Sequence, residues 1–265
     1  MPEGDTIWRT AELLRAAIAG KLVKDARPDG LKRVVGSTVS GVEPVGKHLL
    51  IRFDNGYALH SHMRMRGVWQ VSKPGEPWRR PAWQLKAMLE TDDAVAACFG
   101  APVVELVRGV APVIGHLGPD ILGVDWSVTD VIKRARSVDS AGVGETLLDQ
   151  RVTAGIGNVY RCEALWQQRI NPWASVAELS DDELARLFTA ARDAMRANLG
   201  ASWQRRFPGY GRGAVHGRRG RPCPRCRTLI QARRMGENAR VIYWCPRCQD
   251  ASPSATPRAG RPAED

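Results

Sequence analysis

Residues 223–248 read CPRCRTLIQARRMGENARVIYWCPRC, two Cys-Pro-Arg-Cys turns separated by 18 residues. Cys223, Cys226, Cys245 and Cys248 are four of the six cysteines in a chain of 265 residues. Zinc takes four ligands at tetrahedral corners, and two Cys-x2-Cys knuckles each supply two thiolates at one end of a hairpin. Between the knuckles, Thr228 to Arg233 and Arg240 to Trp244 alternate like strands around a turn at Met235-Gly236-Glu237-Asn238. The reading is a zinc ribbon holding one structural Zn2+, with no ligand position left open for catalysis. A redox dithiol would use one knuckle and leave the other unexplained. Metal binding, on the order of 10 kcal/mol or more, becomes folding energy for a module too small to fold alone. Cys98 and Cys162 stand alone in mixed apolar surroundings and are expected as core thiols.

The ribbon lies in the basic quarter of the chain. Residues 201–265 hold fourteen Arg, no Lys and four acids, a net of +10, whereas the first 200 residues hold 25 basic and 24 acidic side chains. A general preference for Arg, 32 against 7 Lys, explains the choice of cation but not this asymmetry. A concentrated cationic region fits a polyanion, above all nucleic acid. Hydrophobic residues at 43% and charged residues at 25% exclude a chain disordered throughout. No apolar run approaches the roughly 20 residues of a bilayer span. The start, Met1-Pro2-Glu3-Gly4-Asp5-Thr6, lacks the basic-then-apolar pattern of a secretory signal. A soluble cytoplasmic protein is expected, nucleoid-associated through DNA, with no membrane contact.

The length favours two domains. Ile7, Leu13, Leu14, Ala17 and Ile18 predict a leading helix over Thr6 to Ala19, capped by Asp5 or Thr6. Short alternating runs follow. Leu49 to Phe53 and Tyr57 to His60 flank Asp54-Asn55-Gly56, a strong hairpin turn. Val68 to Val71, Ala87 to Leu89 and Val103 to Val107 predict further strands. After Gly118-Pro119-Asp120 the spacing turns helical, over Thr129–Arg136, Thr146–Asp149, Val159–Gln167 and Asp181–Leu199. Leu184, Leu187, Phe188, Ala191 and Met195 mark the core face of the last, and Ser180-Asp181-Asp182-Glu183 its acidic start. Residues 203–222 are rich in Gly and Arg and read as a linker. Residues 251–265, rich in Pro, Ala and Ser, read as a disordered tail.

Two further stretches carry chemistry. With Met1 removed, Pro2 presents a secondary α-amine, roughly two pKa units below lysine and so more often neutral at pH 7. Such an amine can attack a sugar C1′ and form an iminium, with the Glu3 carboxyl as proton donor. A start of Met-Pro-Glu is also common without any such role. Gly155-Ile156-Gly157-Asn158 opens a helix and offers backbone N–H groups at its positive end, which suits a phosphate. It equally suits a tight inter-helix turn capped by Asn158.

Taken in order, these stretches resemble the formamidopyrimidine-DNA glycosylase / endonuclease VIII family. The resemblance runs from Pro2 to Cys248 and rests on Met1-Pro2-Glu3-Gly4, Gly46-Lys47-His48-Leu49-Leu50, His60 to Trp69, Leu117 to Leu122, Gly155 to Tyr160 and the ribbon. It implies an α+β fold: an N-terminal β-sandwich with a leading helix over 1–115, a helix–two-turn–helix domain over 125–205 and a zinc ribbon over 215–250. It implies a monomeric DNA glycosylase and abasic-site lyase of base-excision repair, acting on damaged double-stranded DNA. Pro2 resembles the family's Schiff-base nucleophile, Glu3 its general acid, and Lys47 a phosphate-contacting lysine that takes part in elimination. Asn158 and Arg240 resemble its phosphate ligands. Met65, between Arg64 and Arg66, lies where the family wedges a side chain into the gap left by the flipped nucleotide. Other readings are a solvated Lys47 or Arg240 and a partly buried Met65.

The chain also departs from the pattern. Thr6 stands where the family has Glu. No Arg/Phe gap-filling loop is found in Asp93 to Pro102, and Leu199 to Gly211 is short where purine-specific members cover the lesion. His60 to Trp69 resembles the endonuclease VIII branch, which implies a preference for oxidised pyrimidines. His116 stands where that branch tends to have Arg, a weaker phosphate contact. The alternatives are an oxidised-purine glycosylase of the same family and a non-catalytic binder of damaged DNA.

Overall fold

Ile7, Ala11, Leu14 and Ile18 form one stripe of a helix, α1 (Gly4–Ile18), and none is more than 1% exposed. The computed structural model describes residues 2–138, 142–200, 204–207, 210–237 and 239–250; the tail expected over 251–265 lies outside them. The expected cap on α1 is corrected. Glu3 is the N-cap residue, no side chain caps there, and Asp5 lies within the first turn, fully buried. Its carboxylate accepts instead from Arg9 at 3.2 Å and from Nη2 and Nε of Arg205 at 2.7 and 2.8 Å.

Eight strands follow: β1 (Asp25–Arg27), β2 (Val39–Val45), β3 (His48–Phe53), β4 (Tyr57–His62), β5 (Val68–Ser72), β6 (Leu85–Glu90), β7 (Val95–Phe99) and β8 (Val103–Arg108). They pair antiparallel in two four-stranded sheets, β1-β6-β7-β5 and β2-β3-β4-β8. Leu49, Ile51, Phe53 and Leu59 point between the sheets with Ala87, Leu89, Ala96 and Cys98, and α1 packs against the edge strands β2 and β5. Strand β7 had no alternating signal because all five of its residues are buried. It runs through the middle of the first sheet, so Asp93 to Pro102 holds a core strand and no long loop.

The second half contains α2 (Ala111–Ile114), α3 (Val128–Ser137), α4 (Val143–Thr146), α5 (Asn158–Gln167) and α6 (Asp181–Arg196), then the hairpin β9 (Gln231–Met235) and β10 (Arg240–Trp244). The helix expected over Thr146–Asp149 ends earlier, and its last turns are closed by bonds from the Leu148 and Asp149 amides to Glu145. The ribbon's first strand lies about three residues later than expected. Ser180 and Glu183 form a capping box at the start of α6, whose predicted core face is buried. Residues 203–222 do not behave as a loose linker in their described part. Ala214 and Val215 are fully buried, and the Glu163 carboxylate accepts the N–H groups of Ala214, Val215 and His216. Ile230, Met235, Ile242 and Trp244 share one hydrophobic core with α3, α5 and α6, so the ribbon is packed into the helical domain.

The two halves meet through a segment that is itself strand-like. Gly118 and Ile121 donate to the carbonyls of Gln150 and Ala154, and Ala154 donates back to Pro119. Asp120 then accepts the Gly46 N–H at 2.7 Å and the Leu122 N–H at 2.8 Å, with burial pushing its carboxyl above the usual range. This fixes the β2–β3 turn against the helical domain. Gly46 has φ +59°, and a Cβ there would lie 2.6 Å from that of Ala154. Asp120→Asn keeps the shape but turns an amide NH2 toward a backbone donor. It should lower stability by about 1–3 kcal/mol in urea unfolding; an unchanged midpoint would mean the contact contributes nothing.

Candidate active site and nucleic-acid interface

The start of the chain is anchored on the start of α5. Glu3 is fully buried, and its carboxylate accepts the Val159 N–H at 3.0 Å and the Tyr160 N–H at 3.4 Å. These are first-turn amides with no partner inside the helix, at its positive end, so a carboxylate is the natural occupant. Gly157 makes room for it, since a Cβ there would fall 2.2 Å from the Glu3 carboxyl carbon. One residue further, Gly4 donates to the Gly155 carbonyl at 3.0 Å. Glycine is required at 155 as well, where φ is +112°.

Pro2 faces a cavity of about 570 Å³, with Thr6, Val159, Arg205, Arg212 and His216 among its walls. That volume is in the range of small-molecule pockets. Burial and the Arg205 charge push His216 down to about 4, so this wall is a neutral imidazole near pH 7. Arg205 spans Asp5 and the Thr6 hydroxyl and lies over the Tyr160 ring. Thr6, Asp5 and Arg205 therefore form one ion-paired wall where the family pattern has a single glutamate.

Lys47 sits in the β2–β3 turn. Burial pushes its ammonium down to about 8; Glu3 opposes the shift, and the Arg240 and Arg161 charges add to it. The structure thus brings Glu3, Lys47 and Arg240 into one electrostatic neighbourhood from three distant parts of the chain. Arg240 is exposed at the start of β10. Asn158 is the first residue of α5, 8% exposed, and Gly157 rather than Asn158 is the N-cap. Its amide donates to the Val241 carbonyl at 2.8 Å, and its oxygen accepts from Arg161, which also reaches the Arg240 carbonyl. Asn158 therefore ties α5 to the ribbon hairpin.

Arg64, Met65 and Arg66 form an exposed tip between β4 and β5. Met65 is 62% exposed, so the partly buried reading fails there; it is Met63 that enters the core. A Cβ on Gly67 would collide with Met63 and Ala101, which makes the return of the tip tight. His116 is exposed and meets the His48 ring edge-on at 6.4 Å. The buried Arg161 and the half-buried Arg205 went unread in the sequence, and Asp5 was read only as a helix cap. Nothing in their spacing distinguishes them from other charged residues, because their partners are remote in the chain.

The sulfurs of Cys223, Cys226, Cys245 and Cys248 lie within 4.8 Å of one another, with pairs at 3.3 and 3.8 Å. Four sulfurs about 2.3 Å from a zinc ion are separated by about 3.8 Å along tetrahedral edges, so the set fits one Zn2+. The Trp166 indole donates to Cys223, and Gln249 ties Cys245 to the Ile170 carbonyl. Cys98 and Cys162 are fully buried, with burial pushing each thiol up to about 12. Among the described residues, no helix is long and apolar enough to cross a membrane. Cys223→Ser should release the metal and abolish DNA binding while the N-terminal sandwich stays folded. Metal analysis together with a DNA-binding isotherm checks this, and full affinity in a metal-free variant would refute it.

Three family descriptions match in order: "Formamidopyrimidine-DNA glycosylase N-terminal domain" over residues 1–102, "Formamidopyrimidine-DNA glycosylase H2TH domain" over 117–205, and "Zinc finger found in FPG and IleRS" over 220–251. The chain is 41% identical to "Probable endonuclease 8 2" of Streptomyces coelicolor, covering 97% of this chain and 96% of that protein. It is 38% identical to "DNA-(apurinic or apyrimidinic site) lyase Nei2" of Mycolicibacterium smegmatis, covering 95% and 100%. Among solved structures, Lactococcus lactis formamidopyrimidine DNA glycosylase bound to abasic-site DNA superposes with a TM-score of 0.78 at 21% identity, over 93% of this chain and 99% of that one. The Thermus thermophilus MutM (Fpg) protein superposes at 0.76 with 26% identity, over 95% and 100%. With a buried glutamate seated on the helix–two-turn–helix, a four-cysteine hairpin behind it and relatives matched along their whole length, the chain belongs to the formamidopyrimidine-DNA glycosylase / endonuclease VIII family.

Proposed function

We propose that this protein is a bifunctional DNA glycosylase and abasic-site lyase of base-excision repair, acting as a monomer on oxidised bases in double-stranded DNA. The observation that carries the reading is the anchoring of the chain's start. Glu3 is fixed on α5 with the Lys47 charge acting on it, and the adjacent Pro2 lines the cationic cavity. A base flipped from the duplex would enter the cavity. The Pro2 amine attacks C1′, Glu3 supplies a proton as the sugar ring opens, and the base leaves. The iminium then acidifies C2′, and elimination breaks the strand. Lys47 serves that step as base, since an amine held near 8 is neutral in an appreciable fraction of molecules at physiological pH. Arg240 and Asn158 hold the kinked backbone, with Asn158 exchanging its contact to Val241 for a phosphate. Arg64, Met65 and, more weakly, His116 face the gap and its flanks.

The proposed mechanism requires a free Pro2 nitrogen. Borohydride should trap a covalent protein–DNA adduct on abasic DNA, and peptide mapping should find it at Pro2. Retaining Met1 or adding an N-terminal tag should abolish trapping, because the nitrogen becomes an amide. A protein with free Pro2 that gives no adduct on any lesion would be a non-catalytic binder.

The short Leu199–Gly211 segment and the Arg64-Met65-Arg66 tip support a preference for oxidised pyrimidines. Excision of thymine glycol and 5-hydroxyuracil should therefore outpace that of 8-oxoguanine in side-by-side single-turnover assays. Faster release of 8-oxoguanine would make the protein an oxidised-purine glycosylase of the same family.

A further inference from the structure

The segment between β5 and β6, residues 73–84, carries two tryptophans with opposite fates. Trp78 meets Phe99 edge-on, ring centres 5.6 Å apart, and helps Met88, Val95 and Ala97 close the outer face of the first sheet. Trp83 takes no part in that cluster and is 79% exposed. A single apolar residue in water is ordinary on any protein surface. What is specific here is the place at which this ring is presented.

Topology sets that place. Strands β5 and β6 both run antiparallel to β7, which lies between them, so both start at the end of the sheet where β7 finishes. Register puts Val68 and Leu85 on either side of Phe99. The Arg64-Met65-Arg66 tip leads into β5, and a short 3-10 turn (Ala82–Gln84) leads into β6, so the two stand side by side. Gly100 joins them: its N–H donates to the Gln84 carbonyl at 2.8 Å, and a Cβ on it would lie 3.3 Å from the Arg66 carbonyl oxygen. Two inter-strand spacings, about 10 Å, separate the two strand starts, which matches about three nucleotides along a DNA strand. The turn is stiff, with Pro81 ahead of it, the Gln84 N–H donating to the Pro81 carbonyl at 3.0 Å and the Leu85 N–H to that of Ala82. It is also cationic. Lys73, Arg79, Arg80 and Lys86 are exposed against one acid, Glu76, and among the described residues no carboxylate pairs with Arg79 or Arg80.

We propose that the Arg79–Gln84 turn is a second DNA-contacting element, which grips the sugar–phosphate backbone about three nucleotides from the gap left by the flipped base. It rests on the reading that the Arg64-Met65-Arg66 tip faces that gap. Trp83 lays its ring on a deoxyribose and donates its Nε1–H to a phosphate, a pairing that suits a side chain with an apolar body and one polar edge. Arg79 and Arg80 donate to the neighbouring phosphates. No base has to leave the stack for this contact. Because the turn is already ordered, little chain entropy is lost when DNA arrives. Two contacts from one rigid end of a sheet fix the angle at which the tip enters the duplex, which a single contact would leave free.

Duplexes that carry a tetrahydrofuran abasic analogue and are shortened from either side test this. On a long duplex, Trp83→Ala should bind about fivefold or more weakly than the wild type. When one flank is cut back to about two base pairs, too short to reach the turn, the two proteins should bind equally. Trp83→Phe keeps a ring and should recover most of the loss. The double variant Arg79→Ala/Arg80→Ala should lower the slope of log affinity against log salt by about two; should Trp83→Ala fail to fold, this slope decides. Wild-type affinity of Trp83→Ala on the long duplex, an equal loss on long and short duplexes, or an unchanged salt slope in the arginine variant would overturn the second contact. A Met65→Ala variant with undiminished preference for the analogue over undamaged DNA would instead remove the tip from the gap, and the premise with it.

Discussion

The carboxylate of Glu3 on the first amides of α5 is the contact on which the rest of the structure turns. It joins residue 3 to residues 159 and 160, across the boundary between the two hydrophobic cores. Without it, α5 would present uncompensated N–H groups, and a buried carboxylate would lack partners, each an expensive state. The glycines follow from this contact rather than accompany it. Gly4 and Gly46 each approach Gly155 within side-chain distance, and Gly157 gives the carboxyl its space. These glycines are therefore contact surfaces between three segments: the chain start, the β2–β3 turn and the turn before α5.

Electrostatics around this contact are uneven. Asp5 and Arg205 neutralise each other as a bidentate pair, and Glu163 is satisfied by three backbone amides. Lys47, half-buried, and Arg161, fully buried, are by contrast cations near the exposed Arg240; Glu3 offsets both, and Glu145 offsets Arg161 as well. A cleft arranged in this way lacks negative charge and is completed by a polyanion. Of the cations of the C-terminal quarter, Arg205 and Arg212 line the cavity beside Pro2, and the Arg240 charge acts on Lys47.

What could be read in the sequence had local causes. The cysteine knuckles, the Asp54-Asn55-Gly56 turn, the stripe on α6 and its Ser180–Glu183 box depend on neighbours within a few residues, and they were legible. The features that were missed depend on remote partners. Strand β7 is buried on both faces, so it carries no alternation. Asp5 looked like a helix cap until Arg205, two hundred positions away, claimed its carboxylate. The segment before the ribbon looked like a Gly/Arg linker because Glu163, which orders part of it, lies some fifty residues earlier. Pro2 and Glu3 were candidates on their chemistry, against a start that is also common without such a role, and resemblance to a family decided for them; Lys47 came from the resemblance alone. Only the folded chain explains why a glutamate beside a terminal proline has to sit where it does.

The separation between Glu3 and α5 also has a temporal consequence. During synthesis, the residues at the start of the chain leave the ribosome first, but their binding surface does not exist until the helix–two-turn–helix segment has emerged and folded. Contacts of such long range form late and at high entropic cost. The start of the chain is thus made first and seated last, and a truncated or half-folded chain would carry Pro2 and Glu3 without the surface on which Glu3 sits. If Pro2 acts as proposed, the cutting of DNA strands waits until that surface exists.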